Sequence, residues 1–179
     1  MNVLFLNSSS FGQEDMVDSI KGLGYSITFF SLIGNKRINA EFNNSFCKLI
    51  ESINPDYVFS FNYFPIISQC CQKYHLPYLS YVYDSPLLSL FSYTILNPCN
   101  YIFIFDHFLY EQLFKGGIST VYYLPLASNP KRLDQIKPTE EQERLFSADV
   151  SFVGAMYNES HHLFERLNAV TPYTKGYLE

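Results

Sequence analysis

Six short apolar runs, separated by stretches with helical periodicity, constrain the fold of this chain more than any other feature. Strands that are buried on both faces read as continuous runs of β-branched and aromatic residues, so these segments are typical of parallel strands. The runs are VLFL at 3–6, SITFFSL at 26–32, YVFSF at 57–61, YLSYVY at 78–83, YIFIF at 101–105 and VYYLPL at 121–126. Their alternation with helical patterns predicts an α/β fold with a doubly wound, Rossmann-like parallel sheet.

The stretches between the runs carry apolar residues at spacings of three and four, as amphipathic helices do. The first stripe is followed by Gly24, a suitable helix stop, and the second ends before Asn54-Pro55, because the residue before proline is disfavoured in the α region. The four stripes are Met16, Val17, Ile20 and Leu23; Phe42, Phe46, Leu49, Ile50 and Ile53; Ile66, Ile67, Cys70, Cys71 and Tyr74; and Leu87, Leu88, Phe91 and Ile95.

A change in composition after Pro130 predicts the domain organisation. Residues 1–129 are expected to form the Rossmann-like domain, and residues 130–148 hold many of the charges and read as a solvated linker or exposed helix. The apolar run VSFVGAMY at 150–157 and the helical stretch after it predict that residues 149–179 are the first strand and helix of an incomplete second domain. Its apolar side chains are expected to pack on the first domain or to mediate self-association.

Charge and cysteine usage narrow the class of protein. The net charge is −5 and no cluster of Lys and Arg stands out, so a nucleic-acid partner is not expected. The four cysteines match no metal-ligand spacing and read as reduced core thiols of a cytoplasmic protein. The start MNVLFLN does not resemble a secretory signal, and Asn97, Pro98 and Asn100 interrupt the most apolar window, so we expect no membrane-spanning helix.

Polar residues follow several of the predicted strands, where ligands of open α/β sheets bind. Asp84 is the most informative, because it and Lys73 are the only formal charges between Asp56 and Asp106. It could cap a helix that begins near Pro86, or it could act as a general base toward a bound hydroxyl. The other candidates at the strand ends are Asn7 and Ser8, Asn62 and Tyr63, Ser85, and the pair Asp106 and His107.

Each of these further candidates has a structural alternative. Asp106 beside His107 could position or deprotonate a hydroxyl, or it could serve the fold alone. The Ser8–Gly12 loop could receive an anionic group at a helix amino terminus, although it has no G-x-G-x-x-G motif. Tyr63, Tyr81 and Tyr83 could stack on a sugar or a lipid, with core packing as the default for Tyr81.

No metal site is expected, because His161-His162 has no third ligand at a recognisable spacing. A surface helix start explains these two residues better.

The sequence resembles the bacterial CgeB-like glycosyltransferases of the GT-B class over essentially its whole length. The resemblance lies in the order of four blocks: PDYVFSFNYFPIISQCCQKYHLPYLSYVYDSP, NYIFIFDHFLYEQLFKGGISTVYYLPLASNP, DVSFVGAMYN and YTKGYLE. It implies that residues 1–129 are an acceptor-side domain and that the complete enzyme takes a nucleotide-sugar donor on a second domain, of which 149–179 would be only the start. The chain itself is expected to hold no cofactor and to be inactive alone.

The resemblance and the strand-end residues together define the candidate site. Asp84 and Asp106 are the candidate catalytic residues. Asn7, Ser8, Asn62, Tyr63, Ser85 and His107 are the candidates for binding a glycan or other small-molecule acceptor. The alternative is a non-enzymatic module, derived from a truncated glycosyltransferase, that binds a glycan or a protein.

Overall fold

The computed structural model describes residues 1–8, 10–31 and 40–154, and of residues 40–43 it describes the backbone alone. The chain divides into two compact units, Met1–Leu133 and Asp134–Glu179. The first unit ends close to the domain boundary that the sequence predicts at residue 129.

The first unit is built on a six-stranded sheet in which all neighbouring strands are parallel. The strands are β1 (Asn2–Asn7), β2 (Ser26–Ser31), β3 (Tyr57–Phe61), β4 (Tyr78–Val82), β5 (Asn100–Ile104) and β6 (Val121–Tyr123). Their order is β2-β1-β3-β4-β5-β6, so the chain changes direction across the sheet between β1 and β3. All six predicted strands are confirmed.

Helices connect the strands and cover the sheet. In the first unit they are α1 (Gln13–Gly22), α2 (Ala40–Ile53), α3 (Pro65–Lys73), α4 (His107–Lys115) and the short α5 (Pro130–Leu133). Glycines in the left-handed region flank α1, with φ of 77° at Gly12 and 79° at Gly24. Proline in the first turn of α3 costs no hydrogen bond, because the first turn has no intrahelical acceptor for its amides.

Alternation along the strands divides the apolar side chains between two cores, because successive side chains point to opposite faces. Leu4 and Leu6 lie in the core covered by α2, α3 and α4, whereas Val3 and Phe5 lie in the core covered by α1; all four are fully buried. Helices therefore lie on both faces, and the predicted doubly wound, Rossmann-like α/β arrangement is confirmed.

The segment between β4 and β5 differs from the sequence prediction. The stripe from Leu87 to Ile95 predicts one α-helix, but the structure has two 3₁₀ turns, Leu88–Phe91 and Tyr93–Leu96. Ser92 separates them with an extended backbone (φ −87°, ψ 145°), and its hydroxyl accepts a hydrogen bond from the amide of Thr94. The side chain thus starts a new turn where an α-helix would have continued.

In the second unit, the structure describes residues 134–154. They form one exposed helix, α6 (Glu140–Phe146), which begins with a capping box between Thr139 and Gln142. The helix lies within the charged segment 130–148, for which the sequence left a solvated linker and an exposed helix as alternatives. Residues 151–154 contain no strand, in contrast to the strand predicted from 150, and the rest of that prediction, with His161 and His162, lies outside the described residues.

Candidate functional site

The carboxyl ends of β1, β3, β4 and β5 meet at one edge of the sheet, because these four strands are consecutive neighbours. The reversal of strand order between β1 and β3 creates a crevice at this edge, which is where ligands of open α/β sheets bind. Asn7, Asn62, Asp84 and Asp106 lie at or just after the ends of these strands. These four polar residues therefore occupy the strand ends at one edge of the sheet, and their role in a site stays a prediction.

Asn62 positions Asp84 through a hydrogen-bonded clamp. Its side-chain nitrogen donates to Asp84 Oδ2 at 2.6 Å, and its side-chain oxygen accepts from the backbone amides of Tyr83 and Asp84 at 3.2 and 3.3 Å. Asn62 has a φ of 58°, a left-handed conformation that asparagine tolerates better than most residues. An asparagine at the end of β3 thus holds both the backbone and the carboxylate at the end of β4.

The buried hydroxyls of Ser60 and Tyr78 hold the backbone of Asn62 in place from the core side. Ser60 Oγ donates to the backbone oxygen of Asn62 at 2.7 Å, and it lies 2.7 Å from the hydroxyl of Tyr78. The Tyr78 hydroxyl in turn accepts from the amide of Phe64 at 3.1 Å. Ser60 and Tyr78 are fully buried, so this chain of hydrogen bonds connects the core to the crevice.

Asp84 does not cap a helix, which removes the helix-cap alternative for this residue. The turn after β4 starts at Leu88, with Leu87 in the capping position, and the peptide bond between Ser85 and Pro86 is cis. The Asp84 side chain is exposed, and among the described residues its only hydrogen-bond partner is Asn62. One carboxylate oxygen is therefore oriented and the other faces solvent.

Asp106, at the same edge of the sheet, caps the amino terminus of α4. Its Oδ1 accepts from the amides of Phe108 and Leu109 at 2.9 and 3.2 Å, and its Oδ2 accepts from the Ser85 hydroxyl at 2.5 Å. The bond from Ser85, together with those from the helix amides, lowers the pKa of Asp106 from its ordinary value of 3.8. A carboxylate that is engaged at both oxygens is a weak proton acceptor, so this geometry favours a structural role over the catalytic one.

The remaining candidates lie at the same edge but make other contacts. Asn7 ends β1 and pairs in register with Ser31, and the hydroxyl of Ser8 is bonded to that of Ser10 at 2.5 Å. His107 is exposed at the first position of α4, and its ring lies edge-on to Tyr123 with the centroids 5.0 Å apart. In the described part of the chain, Asn62 is hydrogen-bonded to Asp84, and Ser85 is hydrogen-bonded to Asp106.

Tyr63 is buried in the core and not exposed in the crevice, which contradicts its predicted position as an acceptor-binding residue. Its side chain is 1% exposed and stacks on Tyr78, and its hydroxyl donates to Thr94 Oγ1 at 2.8 Å. Because Asn62 adopts a left-handed conformation, the chain turns at that point and the next side chain enters the core. Burial raises the pKa of Tyr63, so it stays a neutral phenol there.

A cleft of about 540 Å³ lies beside this edge, between α1, β3, β4 and residues 126–131. Phe61, Tyr81 and Tyr83 provide aromatic walls, and Tyr83 directly precedes Asp84. The Tyr83 ring is held edge-on by Phe61, with centroids 5.4 Å apart. The cleft therefore offers an aromatic surface on which a sugar ring can stack, and Asp84, which does not itself line the cleft, is the next residue after Tyr83.

The segment that closes the cleft is tied to α1 and β4. Arg132 donates to both carboxylate oxygens of Asp15 at 2.7 and 2.9 Å, and Asn129 donates to the same carboxylate at 3.0 Å. The Tyr81 hydroxyl donates to the carbonyl of Pro125 at 2.9 Å. The bond from Arg132 lowers the pKa of Asp15. The sequence analysis did not predict the ion pair between Arg132 and Asp15 and assigned Arg132 to the linker, because no local pattern relates residues that are 117 positions apart.

No protein-family model matches the chain, and no curated protein is significantly similar to it. The resemblance to the CgeB-like glycosyltransferases therefore rests on the sequence blocks quoted above. None of the helices in the described ranges is long and apolar enough to cross a membrane. The same ranges contain no group of three or more His, Cys, Asp or Glu side chains arranged to hold a metal ion.

Replacing Asp106 tests its capping role. We expect Asp106→Ala to lower the midpoint of thermal unfolding by a few degrees, and Asp106→Asn to remain close to wild type at pH 7, because asparagine is also a good cap. The folded-state pKa of Asp106 is lowered, so its stabilising contribution is present above the ordinary pKa and is lost as the pH falls through the folded value. Wild type should lose more stability than Asp106→Asn between pH 6 and pH 3, as measured by thermal melts across that range. Equal losses would contradict the ionised cap.

Proposed function

We propose that this chain is the acceptor-side half of a GT-B glycosyltransferase, in which the crevice at the carboxyl edge binds a hydroxyl-bearing acceptor and Asp84 accepts its proton. The observation that carries the proposal is the exposed Asp84 carboxylate, which Asn62 orients at the carboxyl ends of β3 and β4, directly after Tyr83 of the aromatic cleft. The resemblance described above supports the same conclusion.

In this proposal Asp84 acts as a general base. As the acceptor oxygen attacks the anomeric carbon of the donor, its proton passes to the carboxylate, and the bond between that carbon and the nucleotide diphosphate breaks. Asn62 prevents the carboxylate from rotating away, because it already donates to one oxygen. The diphosphate charge must be stabilised by groups outside this acceptor side, so we expect transfer only when a donor-binding domain is present.

Acceptor binding can be tested on the 179-residue chain by nuclear magnetic resonance. The side-chain amide of Asn62 is a direct reporter, because it donates to Asp84. Titration with a panel of mono- and oligosaccharides should shift the Asn62 amide resonance and the backbone resonances of Tyr83 and Leu126, which line or border the cleft. If millimolar saccharides leave these signals unchanged, the acceptor site is not here.

Removing one aromatic wall should weaken this binding. We expect Tyr83→Ala to raise the dissociation constant of a bound saccharide about 5- to 10-fold, since an aromatic stacking contact contributes roughly 1 kcal/mol. Tyr101→Ala is the matched control, because Tyr101 is a 42% exposed tyrosine whose ring stacks on Tyr122 and does not line the cleft. An equal effect of the two substitutions would locate binding elsewhere.

A non-enzymatic glycan-binding module is the alternative. It is favoured by the fact that the cleft is formed entirely by residues of the first unit. The two functions differ in how they depend on Asp84: a binding module uses the carboxylate only as a hydrogen-bond acceptor, whereas a transferase needs its basicity. Transfer by the wild-type chain in the presence of a donor-binding domain separates them, because a binding module transfers no sugar, and Asp84→Asn then tests whether that transfer needs the carboxylate.

A further inference from the structure

Two cysteines face each other between α2 and α3, away from the carboxyl edge of the sheet. The Sγ atoms of Cys47 and Cys70 lie 3.1 Å apart. A disulfide bond is about 2.05 Å long, so the sulfur atoms need to approach by only about 1 Å to become bonded. The sequence suggests inert core thiols, but the proximity of these two supports chemistry that a single buried thiol does not.

The two thiols differ in their access to solvent. Cys70 is 3% exposed and belongs to the core beneath α3, whereas Cys47 is only partly buried. Both line a surface cavity of about 400 Å³, into which Lys48 and Lys73 also project. A small oxidant that enters this cavity therefore reaches Cys47 and finds a second thiol directly behind it.

We infer that Cys47 and Cys70 are an oxidative modification site, at which a peroxide converts the two thiols into a disulfide that ties α2 to α3. The sulfur of Cys47 attacks one peroxide oxygen as its thiol gives up a proton, the O–O bond breaks, and the leaving oxygen takes up that proton and departs as water, which leaves a sulfenic acid on Cys47. The sulfur of Cys70 then attacks the sulfenic sulfur as its thiol gives up a proton, the S–O bond breaks, and the departing hydroxyl takes up that proton and leaves as a second water. Two thiols and one hydrogen peroxide thus yield one disulfide and two waters.

The state of Cys70 determines the order of these steps. Burial, with the neighbouring Cys47 thiol, raises the pKa of Cys70 to about 12, so at neutral pH it is a protonated thiol that reacts slowly with peroxide directly. Once Cys47 carries a sulfenic acid, the neighbouring Cys70 attacks it within the same molecule, where its effective concentration is high. Cys47 is therefore the residue that is oxidised first and Cys70 the residue that resolves it.

Mass spectrometry after treatment with hydrogen peroxide tests this inference. The protein should lose two hydrogen atoms, and fragmentation of the linked peptides should assign the bond to Cys47 and Cys70, not to the adjacent Cys71. Because the bond closes a loop of more than 20 residues, the midpoint of thermal unfolding should rise, on the order of 5–10 °C, and dithiothreitol should reverse the rise.

Substitutions provide the controls. Cys47→Ser and Cys70→Ala should each abolish both the linked peptide and the increase in midpoint, whereas Cys99→Ser, at a half-buried cysteine whose thiol contacts Ser68 and Asn100, should retain both. Over-oxidation of Cys47 with Cys70 still reduced, or an oxidised protein that unfolds at the same or a lower temperature, would overturn the inference. A linked peptide that persists in Cys70→Ala would do so as well.

Discussion

Replacing Asp84 with asparagine should reduce sugar transfer about 100- to 10,000-fold, the range that a positioned general base contributes. Asparagine has nearly the same shape but cannot take the proton of the acceptor hydroxyl. The substitution should leave folding nearly unchanged, because Asp84 is exposed and caps no helix. The measurement is turnover with a nucleotide-sugar donor, with this chain joined to or mixed with a donor-binding domain, alongside a thermal melt. Turnover close to that of wild type would reject the catalytic role of Asp84, whereas a wild-type chain that shows no transfer with a donor-binding domain present would favour the binding-module alternative.

Asn62→Gly separates positioning from chemistry. Glycine accommodates the φ of 58° at this position without strain and removes the amide that donates to Asp84. If Asn62 only holds the carboxylate in place, kcat should fall by less than in Asp84→Asn, while KM changes little. Asp106→Asn is the companion control and should retain turnover, since the structure gives Asp106 the role of a helix cap. A large loss of turnover in Asp106→Asn would restore its catalytic role.

The sheet could be predicted from the sequence because each strand is marked locally. The run VLFL at 3–6 lies within Asn2–Asn7, and YVFSF at 57–61 coincides with Tyr57–Phe61. A strand that is buried on both faces is a continuous run of apolar residues, so it can be recognised from its own segment of the sequence. The order β2-β1-β3-β4-β5-β6 could not be predicted in this way, because it depends on which strands pair over long separations.

The candidate site was only partly predictable, and the position of the helix cap shows why. Asp84-Ser85-Pro86 matches the pattern of a helix start, but the cap is Asp106, which precedes a stripe through Leu109 and Leu113 and a stop at Gly116. The sequence contains that stripe, so the cap could have been found there. The Asn62 clamp could not, because it depends on how β3 and β4 are placed side by side.

Tyr63 shows a second limit of predicting the site from the sequence. Position at a strand end places a residue near the crevice, but the conformation of the preceding residue decides whether its side chain faces solvent or core. The left-handed φ of Asn62 turns the Tyr63 side chain into the core, and the periodicity of apolar residues does not predict this turn of the backbone. A polar residue that tolerates positive φ, directly after a buried strand, is the only local indication.

Tyr78→Phe should destabilise the first unit by about 2–3 kcal/mol, because it removes the hydroxyl that links Phe64 and Ser60. The phenol is fully buried, so the amide of Phe64 would lose its acceptor and Ser60 would lose one partner. A net hydrogen bond is worth about 1 kcal/mol, and a donor that is left unsatisfied out of water adds about 1–3 kcal/mol. The ring itself is retained, so packing is preserved. Urea unfolding of both proteins at pH 7 measures the difference.

Tyr101→Phe is the control for the loss of a tyrosine hydroxyl, because the Tyr101 side chain is 42% exposed. This substitution should change the free energy of unfolding by less than about 0.5 kcal/mol.

The stability of wild type and Tyr78→Phe at alkaline pH distinguishes the loss of a buried hydroxyl from a defect in packing. Burial raises the pKa of Tyr78 far above the ordinary value of 10.0, so its contribution is fully present below pH 10 and is lost at higher pH, where the unfolded phenol ionises and the folded one does not. The difference in stability between wild type and Tyr78→Phe should therefore shrink by up to about 1.4 kcal/mol per pH unit above pH 10. A difference that stays constant from pH 7 to pH 11 would mean that the Tyr78 hydroxyl is not buried as described, and the support that it gives to Ser60 and Asn62 would have to be abandoned.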